Sequence, residues 1–234
     1  MEIIMSNRLS PPGHAGTELA LRGNLLTAPI RRDVADLNRL FLQSALDMRV
    51  AADPWFCLPA PALLLLHGAT VDARERLAQS PFTLFALYLP GDDDRAAPAV
   101  ADAQAFQSGH REQADARRSF GLVALGVARR LAEGVPMSPR IAFGVGAAAE
   151  TRLSGLSPSE SFGFAAWPGL IRPRWTRHER YWCMLARAAS SGDPQQLRWA
   201  FATGMCLPQQ QEHTTTGPDS TPSRRKPRVA PGRP

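Results

Sequence analysis

Two stretches of this chain carry the same chain-stopping residues at a fixed offset of 87 positions. Phe56 corresponds to Phe143, Leu66 to Leu153 and Gly68 to Gly155, while Thr70 falls on Ser157. Leu77 then meets Phe164, Ala78 meets Ala165, Pro81 meets Pro168 and Leu84 meets Ile171, with no gap from Phe56 to Leu84. Glycine and proline at matched places stop a helix for backbone reasons, whatever the side chains around them do. Apolar identity alone would align by chance; matched breakers argue for two diverged copies of one element order.

The periodicity predicts which elements those are. In the first half Asp33 is placed to cap a helix with Val34, Leu37, Leu40, Phe41 and Ala45 on one face. Pro59 and Pro61 suit the entry of a short apolar helix through Leu63–Leu66, which Gly68 ends. Thr70 caps a further helix containing Leu77, and Pro81 stops it. Phe82 to Leu89 alternates and reads either as a short strand or as one more buried helical turn.

The second half repeats the order. Leu122, Val123, Leu125, Val127 and Leu131 mark a helix broken at Gly134 and Pro136, and Ala147–Leu153 a short one ended by Gly155. Ser157-Pro158-Ser159-Glu160 has the form of a capping box with proline in the first turn. Beyond Leu170-Ile171, Thr176-Arg177-His178-Glu179 reads as another capping box, opening a helix with Tyr181, Trp182 and Leu185. Gly192-Asp193-Pro194 ends it and starts a last helix with Leu197, Trp199 and Phe201. This pair has no counterpart in the first half.

The resulting expectation is a mainly α fold of two similar helical units, each with room for a short terminal strand, plus a C-terminal helical pair. The boundaries expected are a leader over 1–32, a first unit over 33–90, and a linker over 91–118 that is partly helical or disordered. A second unit with the C-terminal helices covers 119–207, and a basic tail of disordered composition covers 208–234. A hydrophobic content of 44% is enough for a packed core.

Charge has to be located before it is interpreted. The net charge is +6, and Arg224, Arg225, Lys226, Arg228 and Arg233 against Glu212 and Asp219 place +3 of it in the tail. The remainder is only mildly basic, unlike a domain with a clustered nucleic-acid face. Cys57, Cys183 and Cys206 show no C-x-x-C spacing and read as small buried residues of a reducing compartment. The longest apolar stretch, Ala60 to Leu66, is far below the roughly 20 residues of a membrane span. With no signal-peptide pattern after Met1, a cytoplasmic, non-membrane protein is expected.

Catalytic and metal chemistry find little purchase. His14, His67, His110, His178 and His213 have no helical i, i+4 partner, so no metal site and no cofactor are expected. Gly144-Val145-Gly146 lacks the third glycine and the lysine of a phosphate loop. Asp92-Asp93-Asp94 reads as a solvated break. An enzyme would have to gather His67, Glu75, His178 or Glu179 into one cleft, and a non-enzymatic protein is the simpler expectation. The residues with a binding rationale are Arg172, Arg174, Arg177 and Arg180, which interleave with Trp175 and Tyr181. Guanidinium and indole together can hold phosphates and stack on bases; the same residues equally suit the exposed and core faces of a helix start.

The second half resembles the D subunit of the bacterial flagellar master transcriptional regulator, the FlhD family. The likeness is carried by Leu122-Val123-Ala124-Leu125-Gly126-Val127-Ala128-Arg129-Arg130-Leu131, by Phe143-Gly144-Val145 and by Leu153-Ser154-Gly155-Leu156-Ser157-Pro158, ending in Leu170-Ile171-Arg172-Pro173-Arg174-Trp175. The first half is similar at Leu77-Ala78 and Phe82–Leu89 but has Phe56-Cys57-Leu58-Pro59 where the glycine step would be. The resemblance implies an all-helical, dimerising regulator of transcription that acts with a second protein subunit, so a protein partner or self-association is expected; direct DNA binding through Arg172, Arg174, Arg177 and Arg180 is the alternative reading of the residues. Family members hold one unit and this chain two, so a fused pair would form internally the dimer that relatives form between chains.

Overall fold

The computed structural model describes residues 26–47, 56–89, 111–134, 137–167 and 169–207. The chain is mainly α-helical: among the described residues, nine helices accompany two three-residue strands. Helix α1 (Ala28–Leu46) starts five residues before Asp33, because Pro29 occupies its first turn, where a missing N–H costs no helical bond. Residues 28–32 therefore belong to the helix and not to a leader. Its stripe of Val34, Leu37, Asn38, Phe41 and Ala45 is buried.

Helix α2 (Ala60–His67) runs from Pro59 to Gly68, and α3 (Val71–Ala78) begins at Thr70, whose hydroxyl accepts the Ala73 N–H at 3.1 Å. Strand β1 (Phe85–Leu87) resolves the ambiguity over 82–89 in favour of a strand. Helix α4 (Arg111–Gly134) takes in the end of the expected linker; the rest, 91–110, lies outside the described residues, as does the tail from 208. Helix α5 (Ser138–Phe143) stops at Gly144, whose φ of 65° is the left-handed conformation a glycine adopts at no steric cost. Helix α6 (Ala147–Ser154) follows, then α7 (Pro158–Ala165), opened by the complete Ser157–Glu160 capping box. Strand β2 (Ile171–Pro173) leads to α8 (Glu179–Ser191) and α9 (Pro194–Cys206), the last capped by Asp193.

Two further expectations need correction. Thr176 caps nothing: α8 begins only at Glu179, with His178 at its N-cap position. Trp175 at φ 54° and the bond from His178 N to Trp175 O (2.8 Å) make residues 174–178 a turn, which leaves Thr176 outside the helix. The cysteines are not buried: Cys57 and Cys206 are exposed and Cys183 is half-buried. The buried stripes, Tyr181-Trp182-Leu185-Ala188-Ala189 on α8 and Leu197-Ala200-Phe201-Gly204 on α9, pass Cys183 and Cys206 by.

Helices α2 and α6 begin and end 87 residues apart, and so do α3 and α7; the strands are offset by 86. β1 and β2 pair antiparallel with Phe85 opposite Pro173, Ala86 opposite Arg172 and Leu87 opposite Ile171. Two strands that stand at corresponding places after α3 and α7 thus pair with each other. Pro173 stands at a position between ladder bonds, so its absent N–H removes none.

Helix α1 packs on α2 and α3, α4 packs on α5, α6 and α7, and α1 meets α4 across the middle. The two halves share one core. Phe85 reaches Phe41 (5.4 Å between centroids), Phe120 (5.2 Å) and Phe143 (6.1 Å), joining rings of both halves. Asn38, fully buried, is satisfied threefold: it donates to Ala78 O and Phe82 O and accepts from Leu84 N. Symmetry ends with the C-terminal pair. Helix α8 lies across α2 and α3, and α9 packs on α8.

Candidate interaction site

The four arginines singled out in the sequence, on β2, in the turn after it and at the start of α8, end in different surroundings. Arg172 is half-buried opposite Ala86, its guanidinium 4.9 Å from the centre of the Tyr88 ring. Arg174 is interior, with 4% of its surface exposed. It lies over Phe82 (5.4 Å) and Trp175 (5.7 Å) and donates from Nη2 to Ile141 O at 3.2 Å, and its Nε has no partner. Burial pulls its pKa down to about 9, against the opposing pull of the Tyr88 and Tyr181 hydroxyls. Arg177 and Arg180 are exposed, in the turn and in the first turn of α8.

The four therefore do not form a single solvent-facing set: Arg174 is not offered to a ligand on the surface. Nor is Trp175, which is 7% exposed and donates from its indole to Gly204 O at 3.2 Å. Trp175 packs edge-on against Tyr181 (4.7 Å) and Trp182 (6.1 Å). Tyr181 is buried, which raises its pKa, and donates to Ala200 O at 3.1 Å. The Trp182 indole donates to Arg174 O at 2.6 Å. What looks in the sequence like a stacking platform is the inner lining between β2, α8 and α9.

Of the residues an enzyme would need, one already has charged and polar partners. Glu75 is taken up by a bidentate pair with Arg39 (both contacts 2.6 Å) and by Gln79, while His67 and Glu179 are exposed. Arg39 holds the Glu75 carboxyl below its ordinary pKa, and the same bond raises that of Arg39. This pair crosses an open groove of about 390 Å³ between α1 and α3, also lined by Leu42, Leu46, Val71 and Arg74. Among the described residues no His/Cys/Asp/Glu group is arranged to hold a metal ion, and no helix is long and apolar enough to cross a membrane.

The interface that the structure does build is one of helix on helix. Arg76, on α3, donates from Nε and Nη2 to Ala189 O (3.0 and 2.9 Å), satisfying a carbonyl in the last turn of α8. Its counterpart by the 87-residue offset is Gly163, exposed on α7. Outward-facing aromatic surface remains at Phe162 on α7 (59% exposed) and Trp199 on α9 (67% exposed). Sequence reasoning passed over Arg76, Asn38 and Gly204. Asn38 alone carried a signal, as a polar residue inside the apolar stripe of α1. No family model, curated protein or solved structure matches the chain.

Proposed function

We propose that this chain is a non-enzymatic, cytoplasmic regulatory protein that works by binding another protein, on the plan of a fused pair of FlhD-like units that influence transcription through that partner. The observation that carries this reading is the β1–β2 pairing about Ala86 and Arg172. Equivalent strands paired isologously, with α2/α6 and α3/α7 at one constant spacing, are what a duplicated unit closing on itself would produce. A chain that makes its dimer contact internally has no need of a second copy. Its outer helix faces, with Phe162 and Trp199 on display, are then free for a different partner.

The test is co-purification with the full chain as bait, in wild type and in Phe162→Asp and Trp199→Asp. Both side chains are exposed, so folding tolerates the changes. A stoichiometric partner retained by wild type and lost from either variant supports the reading; wild type that retains nothing removes it.

Direct DNA binding is the second reading, favoured by the surface placement of Arg177 and Arg180 beside the half-buried Arg172. It requires a low-salt gel shift with total genomic DNA that weakens steeply with salt and on Arg177→Ala/Arg180→Ala. No shift at low salt ends it.

A further inference from the structure

The C-terminal helical pair has no counterpart in the first half among the described residues. We propose that α8–α9 is a displaceable cover, seated on a helix-binding face formed by α2 and α3 and opening about residues 174–178. The use of that face by a partner rests on the protein-binding reading above; the opening does not.

The comparison of halves identifies the covered face. Helices α2–α3 and α6–α7 share their bounds, yet α8 lies on the first pair only, among the described helices. The residues differ to match. Ala73 is buried on α3 where Glu160 is exposed on α7, and Leu65 is half-buried on α2 where Arg152 is exposed on α6. Arg76 holds a carbonyl of α8, where Gly163 offers no side chain. The first half is thus adapted to receive a helix.

The joint between core and cover concentrates unfavourable features. Trp175, a bulky residue, sits at φ 54°, where non-glycine side chains are strained. Arg174 brings a guanidinium inside with one carbonyl as its hydrogen-bond partner and no carboxylate among the described residues. His178 has a buried Nε2 without a partner. Buried polar groups in native structures are nearly all satisfied, so orphaned nitrogens flanking a strained tryptophan mark a place where a second conformation is held close in energy. Tyr88, the strand counterpart of Arg174, carries neither burden.

Opening at this joint would return Arg174 and His178 to water and expose α2–α3. The ligand class that fits the vacated face is an amphipathic helix of the α8 type. It would present small residues, as α8 does with Ala186 and Ala189, and a last-turn carbonyl to Arg76.

Hydrogen exchange on the full wild-type chain tests the opening. The amides of residues 181–206 are expected to exchange together, at least tenfold faster than the central amides of α1 and α4. Equal protection in the three regions overturns the cover. A fluorescein-labelled synthetic peptide of residues 178–192 tests the face. A valine Cβ at position 204 would overlap the Tyr181 hydroxyl and ring, so Gly204→Val should loosen α9. The peptide should bind Gly204→Val at least tenfold more tightly than wild type and lose that gain in Gly204→Val/Arg76→Ala. Gly204→Val with wild-type circular dichroism and no peptide binding overturns the proposal. Fast exchange without any co-purified partner supports the cover and counts against the partner reading; a partner captured by a chain with uniform protection overturns the cover alone.

Discussion

Tyr88 and Arg174 stand at equivalent places on opposite strands and make the same bond. Tyr88 N donates to Leu170 O at 2.8 Å, and Arg174 N donates to Leu84 O at 3.0 Å. Acceptors and donors are each 86 residues apart, so the two bonds extend the ladder symmetrically at both ends. The backbone bonds match while the side chains differ: Tyr88 lies half-buried beneath Arg172, and Arg174 points into the core.

The burial of Arg174 can be measured as stability. Arg174→Met replaces a desolvated cation by an apolar chain of similar length and is expected to stabilise the fold by about 1 kcal/mol in urea denaturation near neutral pH. The pH dependence has a definite sign. Arg174 has a folded pKa of about 9, below the ordinary guanidinium value, so the unfolded chain binds more protons above pH 9. The burial penalty is full below pH 9 and relaxes as pH rises above it. The advantage of Arg174→Met over wild type should therefore shrink from pH 8 towards pH 10; an advantage that grows would contradict the assignment.

Asn38 is expected to be the costliest polar residue to remove from the first half. Asn38→Ala strands the carbonyls of Ala78 and Phe82 and the N–H of Leu84 in the interior. A loss of about 3 kcal/mol is predicted from the usual penalty for unsatisfied buried groups. Urea denaturation with an unchanged m-value checks it, and a loss below about 1 kcal/mol would show that water reaches the site.

Gly204 allows α9 to lie against Tyr181. A Cβ there would overlap the Tyr181 hydroxyl and approach within 3.2 Å of the Trp175 ring. Gly204→Ala should cost about 2 kcal/mol, the scale of an overpacked contact. Adding Tyr181→Phe should restore part of it, despite the lost bond to Ala200 O. Additive losses in the double mutant cycle would disprove the steric account.

Arg39–Glu75 looks strong and should matter little. Both side chains are about two-fifths exposed (40% and 43%), so Glu75→Gln is predicted to cost less than about 1 kcal/mol and nothing measurable in high salt. Because the Glu75 pKa is lowered in the fold, the contribution is present above the ordinary carboxylate range and fades as pH falls through it. A larger or salt-independent loss would mean the groove between α1 and α3 excludes water.

Local chemistry was readable along the chain, and destinations were not. Thr70, Ser157 with Glu160, and Pro194 act as helix starts because each works through bonds within a single turn. Thr176 has the same local pattern and fails, since the Trp175 indole ties the preceding turn to Gly204 O and the Trp182 indole ties α8 back to Arg174 O in that turn, contacts made by the tertiary fold. Arg-x-Arg-Trp leaves open which residue faces out and which faces in until the neighbouring rings of Phe82 and Trp175 are seen to enclose Arg174. Likewise the apolar stripe of α8 showed that the helix had a face to bury, but not that it would be buried on α2 and α3 of the other half.

A fused pair of units requires the two halves to pair with one another inside a single molecule. Phe85–Pro173 and Leu87–Ile171 are the closely spaced, non-hydrogen-bonded pairs of the strand ladder, where nuclear Overhauser contacts between Hα atoms are strong. In a mixture of isotope-labelled and unlabelled chains, both contacts should appear within one molecule, in a species that stays monomeric at every concentration tested. Contacts seen only between labelled and unlabelled chains, or their absence in a folded monomer, would contradict it.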